Sequence, residues 1–187
     1  MKINRYLVAA LCCLLGAASS AHEMPDNRLT LVLRDETHMA LNYFVDYTEA
    51  LHQALAPKQT LQGFMLVYLA MKQSDFEAAL TKAHTQLIVG TQLVQPTGEM
   101  LPIRNWQLPV AARVRTLLQE RTMQMLTGGN DHAHPNAYEI RAEATSARPI
   151  GSVSVRLPVE FGKVLVISYQ PRQAWVDPRA TPVEIKF

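Results

Sequence analysis

The sequence predicts an α+β fold: an antiparallel β-sheet or sandwich from an N-terminal hairpin and C-terminal strands, with helices inserted between them. Three observations carry this. Apolar residues alternate with period two over 27–45, helical spacing with capping residues runs through 46–87 and again 109–126, and short alternating runs broken by Pro and Gly return from 137 onward.

In "NRLTLVLRDETHMALNYFVD", Leu29, Leu31 and Leu33 share one face and "DET" supplies turn chemistry. Beyond the turn, His38, Ala40, Asn42 and Phe44 oppose Met39, Leu41, Tyr43 and Val45, so a hairpin is expected over 27–45. Its second arm is apolar on much of both faces, which predicts a central strand.

Asp46 with Glu49 three residues on has the form of a capping box, opening a helix that stops at Pro57. "TLQGFMLVYLAM", 60–71, is apolar nearly all round, the composition of a buried helix. Ser74 with Glu77 is a second capping box, after which Phe76, Ala79, Leu80, Ala83 and Leu87 keep helical spacing. Residues 88–94 and 100–106 read as another hairpin about "QPTGE". Pro109 suits a first helical position, and Val110, Val114, Leu117, Leu118, Met125 and the stem of Arg121 then fall on one face, with Gly128 and Gly129 as the stop. Five short strands are expected after that: "YEIRAEATS", "GSVSVRLP", "KVLVISYQP", "QAWV" and "PVEIKF", the last with Val183, Ile185 and Phe187 in alternation.

The first residues have the form of a secretory signal peptide. Lys2 and Arg5 precede an apolar run over 6–18, and Ser19 and Ala21 are the small residues of a cleavage site after Ala21. That run is shorter than the ~18–20 residues that span a bilayer. The expected organisation is therefore a signal peptide, 1–21, and a single α+β domain, 22–187, in the periplasm. Both cysteines, Cys12 and Cys13, fall within the leader, so the mature chain has no thiol for a disulfide, a nucleophile or a Cys-based zinc site.

Removing the leader takes Lys+Arg from 18 to 16, level with Asp+Glu at 16, and leaves no net charge to attract nucleic acid or anionic lipid. The neutrality is uneven. Residues 22–103 hold five basic and nine acidic side chains, while 104–187 hold eleven basic and seven acidic. Two halves packed on one another account for that, as does an Arg-lined surface for a carboxylate or a protein.

Local catalytic signatures are absent: there is no G-x-S-x-G, H-E-x-x-H, Walker loop or dinucleotide fingerprint. A metal site is the more specific expectation. Cleavage after Ala21 would make His22 the N-terminus, where its α-amine and ring nitrogen can chelate one ion, with His132 or His134 of "GGNDHAHPN" adding a further imidazole; copper or zinc is the metal such a set takes. This N-terminal arrangement resembles the histidine brace of copper-binding periplasmic proteins and copper monooxygenases. His38, His52 and His84 sit in strand or helix positions and read as surface or satisfied core histidines. Tyr169, Arg172 and Trp175 together suggest a ligand or partner surface.

The function these features predict is an exported, non-enzymatic binding or accessory protein, its partner another envelope protein. A copper or zinc protein using His22, His132 and His134 is the alternative. A hydrolase whose site no local motif reveals is the second.

Overall fold

The computed structural model describes residues 27–127 and 137–171. Within them the chain is α+β: four helices, a five-stranded sheet and a two-stranded sheet. The strands are β1 (Arg28–Leu33), β2 (His38–Asp46), β3 (Gln92–Val94), β4 (Ile103–Gln107), β5 (Ala137–Thr145), β6 (Ser154–Arg156) and β7 (Leu165–Tyr169). The helices are α1 (Tyr47–Leu55), α2 (Leu61–Ala70), α3 (Gln73–Gly90) and α4 (Ala111–Thr127).

The large sheet has the order β4-β5-β2-β1-β7, and β3 pairs with β6 in the small one. β2 is thus the middle strand, as its two-sided apolar pattern predicts. It pairs antiparallel with β1 (Leu31 opposite Leu41) and with β5 (Leu41 opposite Ala142). β7 departs from the expected antiparallel arrangement, lying parallel to β1 with Thr30 opposite Ile167. Alternation reports which face a residue takes and says nothing of strand polarity.

Period two then separates the faces. Leu29, Leu31, Leu41, Tyr43, Val45, Ile140 and Ala142 are buried on one side and form a single cluster with the buried residues of the four helices. The opposite side carries His38, Asn42, Glu139 and Arg141, with the Arg28 guanidinium 4.2 Å from the centre of the Phe44 ring. The sheet is therefore covered on one face and solvated on the other, as antiparallel sheets commonly are.

The helices show where local signals succeed. Asp46 caps α1 by accepting from the Glu49 N–H at 3.0 Å, although the Asp46 N–H bonds to Asn27 Oδ1 at 2.8 Å, so the reciprocal half of a capping box is not made. Thr60 caps α2 through the Gly63 N–H at 3.1 Å. α3 starts two residues earlier than its Ser-x-x-Glu pattern implies: Lys72 is the N-cap, and the Ser74 hydroxyl faces Asp75 at 3.3 Å instead of capping.

Three expectations are corrected. α3 continues through Ile88 to Gly90, which leaves β3 only three residues. The turn after it does form: Gly98 adopts a φ of 85° and donates to Gln95 O, and Leu101 N–H returns to Leu93 O. Pro102 has no N–H to extend that ladder, and Ile103–Gln107 joins β5 instead of β3. On α4, Val114, Leu117 and Leu118 are buried as expected, whereas Val110 and Met125 at its two ends are exposed. Lastly, α2 is not buried all round. Only Phe64 and Met65 are enclosed, and Leu66 and Val67 are 56% and 50% exposed. The stops at Gly128 and Gly129 and the strands "QAWV" and "PVEIKF" lie outside the described residues.

Candidate functional site

His22, His132 and His134, and with them Arg172 and Trp175, also lie outside the described residues. Among the described residues no group of three or more His, Cys, Asp or Glu side chains could hold a metal ion. Of the expected partner surface, Tyr169 is placed: it ends β7 and is exposed.

The three remaining histidines are each paired locally. Asp35 Oδ1 accepts from the N–H groups of Thr37 (2.7 Å) and His38 (2.9 Å) and lies 2.9 Å from His38 Nδ1. The Thr37 N–H first, and the His38 ring with it, hold the Asp35 carboxyl at about 2, below the usual carboxylate range. A nucleophile–base–carboxylate relay needs a hydroxyl at the ring nitrogen that the carboxylate does not use. Thr37 Oγ1 instead sits 3.0 Å from the same Nδ1, so the cluster closes the β1–β2 turn. Glu143, beside it, holds Arg34 at 3.3 Å and the Asn105 amide at 2.8 Å, Asn105 taking a φ of 55° at the irregularity in β4.

His52 is buried, with Nε2 2.9 Å from Gln59 O and Nδ1 3.4 Å from Glu49 Oε1. His84 of α3 has Nε2 2.6 Å from the Tyr47 hydroxyl. Burial lowers the His84 ring below its ordinary value and raises the Tyr47 phenol above its own. The imidazole is therefore neutral at pH 7, and the phenol donates to it. These pairs satisfy polar groups inside the helical layer.

Charge is likewise spent on packing. Arg115 of α4 reaches the end of α2, donating to Leu69 O (2.9 Å) and Met71 O (2.8 Å), while its guanidinium lies 4.4 Å from the centre of the Phe76 ring on α3. Arg121 approaches Asp46 at 4.0 Å and Arg148 approaches Glu99 at 3.7 Å. Three arginines of the second half thus meet acidic groups or carbonyls of the first, while Arg113 and Arg141 pair with Glu120 and Glu139 within the second half. Trp106 belongs to the same packing, its ring stacked on Tyr43 at 6.0 Å.

What this packing leaves uncovered is apolar. α2 has no charged residue, and its outer side presents Leu66 and Val67. α4 packs beside it, with Thr122 Oγ1 3.7 Å from Met65 Sδ, and exposes Met123 (60%) and Leu126 (69%) in its last two turns. The N-cap at Thr60 and the Arg115 clamp at the other end tie down both ends of α2. No candidate residue from the sequence marked it. The signal was present in ten residues without a charge, a composition equally consistent with a helix that awaits a partner.

Comparison with protein-family models, curated proteins and solved structures gives no match to this chain. Its class rests on its own features: an α+β domain with a one-sided sheet and an uncovered apolar helix on the other layer. No helix among the described residues is long and apolar enough to cross a membrane.

Proposed function

We propose that this chain is an exported, non-enzymatic accessory protein that docks another envelope protein on the outer side of α2 and the adjoining end of α4. The observation that carries the reading is the charge-free α2, hydrogen-bonded at both ends yet exposing Leu66 and Val67. An apolar surface of this kind stays hydrated at a cost until a partner covers it. Aliphatic and methionine side chains suit a helix or strand of another protein better than a charged metabolite. Export follows from the leader-like first 21 residues and agrees with a mature chain that carries no cysteine.

The test uses tagged protein cross-linked in cells and recovered from the periplasmic fraction. Wild type should carry one discrete envelope protein, and a Leu66→Glu/Val67→Glu variant with unchanged melting behaviour should lose it. Equal recovery by both forms, or none by either, removes the docking role. The mass of the recovered chain checks export separately: it should begin at His22, and an uncut chain in the cytoplasm would contradict it.

A further inference from the structure

Beyond Cys12 and Cys13 the chain carries sulfur only as methionine. The fold sorts that sulfur by access. Met39 and Met65 are enclosed, Met65 with Thr122 Oγ1 3.7 Å from its Sδ, whereas Met100, Met123 and Met125 are 58%, 60% and 48% exposed. Exposure makes a thioether open to oxidation, and position decides what the oxidation does. α4 turns about 100° per residue, so Met123 and Met125 leave it on nearly opposite sides. Met125 continues the side of Val114 and Leu118, the buried stripe of the helix. Thr122, against Met65, marks the side that meets α2; Leu126 follows one turn on, and Met123 is turned from both toward solvent. Met123 takes no part in the core cluster.

We propose that Met123 is an oxidation site that controls the docking surface: a peroxide converts its thioether to the sulfoxide, and the sulfoxide bars the partner. This rests on the docking role proposed for α2 and the end of α4. In the step itself the Sδ lone pair attacks one peroxide oxygen, the O–O bond breaks, an S–O bond forms and water leaves. Sulfur loses the two electrons that the peroxide gains. The product keeps the length of the side chain but carries a strong acceptor oxygen, on a surface shared with Leu126, Leu66 and Val67. Covered by an apolar partner, that oxygen would lose its water with no donor in exchange. The fold is untouched, since Met123 supports nothing in the core. Sulfoxide reductases reverse the change, so the site works as a switch and not only as a lesion.

The test treats purified, tagged protein with dilute hydrogen peroxide, removes the peroxide, cross-links the protein to periplasmic extract from untreated cells and recovers it. Fragment masses locate each added oxygen. Met100, Met123 and Met125 should be oxidised, and Met39 and Met65 should not. Oxidised wild type should recover the envelope partner at least about tenfold less than untreated protein, and methionine sulfoxide reductases should restore it. Met123→Leu should keep its recovery through peroxide, while Met123→Gln should lose it without peroxide, both with unchanged melting behaviour. A Met100→Leu/Met125→Leu variant should respond to peroxide as wild type does. Loss of recovery by peroxide-treated Met123→Leu places the effect on another sulfur and overturns the proposal. So does full recovery by oxidised wild type or by Met123→Gln, or a Met123 that stays reduced while Met100 is oxidised. Those results leave the docking role standing. No recovery by untreated wild type, or recovery that Leu66→Glu/Val67→Glu does not reduce, removes the docking role and this switch with it.

Discussion

α2 and α3 are consecutive helices with opposite relations between composition and burial. α2 is apolar and uncharged yet encloses only Phe64 and Met65; α3 is largely polar yet encloses Phe76, Leu80, Ala83 and Leu87. The difference lies in spacing. The four buried residues of α3 recur at intervals of three or four and make a single stripe, so its polar remainder is solvated without conflict. α2 fills its whole circumference with apolar side chains, but a neighbour can cover only part of a circumference. Composition states what a helix tolerates, and period states what it uses.

The sharpest way to break this contrast is truncation on the two sides of α2. Phe64→Ala removes a fully buried ring that packs 4.5 Å from Tyr68 and 5.4 Å from His52, and should cost about 3–5 kcal/mol in urea unfolding. Leu66→Ala, two residues away, should cost within ~0.5 kcal/mol. Similar losses from both would mean that the outer side is packed in the native protein. In α3, Leu87→Ala should cost about 2–5 kcal/mol, matching its burial and not the polar composition of its helix.

A smaller effect tests what holds α2 in place. Arg115→Met keeps much of the stem and removes the two donors to Leu69 O and Met71 O, and should cost about 1.5–3 kcal/mol. The caps come next. Thr60→Ala should cost about 1 kcal/mol, because its hydroxyl caps α2, and Ser74→Ala should change stability by less than ~0.5 kcal/mol, because Ser74 caps nothing. Equal effects from the two would restore Ser74 as the start of α3.

The smallest effect concerns pH. His84 has a folded-state value below its unfolded one, so its contribution to stability is present above the ordinary histidine value of 6.5 and is lost as pH falls below it. Thermal midpoints should therefore decline below about pH 6.5, and His84→Gln should flatten that decline. Asp35, lowered from 3.8 to about 2, acts in the same direction but over more acid values, so the two contributions separate along the pH axis. An unchanged slope in the His84 variant would remove the Tyr47–His84 bond from the account.

The first hairpin, the central position of β2, the cap at Asp46 and the buried stripes of α3 and α4 are all legible in the sequence. Each leaves a signal in residues only a few positions apart in the chain. The parallel pairing of β7, the separation of β4 from β3 and the exposure of α2 are not legible, because each depends on which distant segment arrives alongside. The same limit explains the surface. Tyr169 could be named from its chemistry, whereas Leu66 and Val67 become a candidate site only once α4 is seen to cover the opposite side of their helix.

Asn27 binds the two ends of this architecture. Its side chain donates to Phe161 O at 2.6 Å and accepts from the Asp46 N–H at 2.8 Å, and its own carbonyl receives the Leu165 N–H. Phe161 lies 134 positions from it and Leu165 farther still, so the β7 side of β1 stays open until segments far along the chain arrive. Closing contacts of that separation are slow steps in folding. The β1–β7 seam should therefore be among the last parts of the sheet to close.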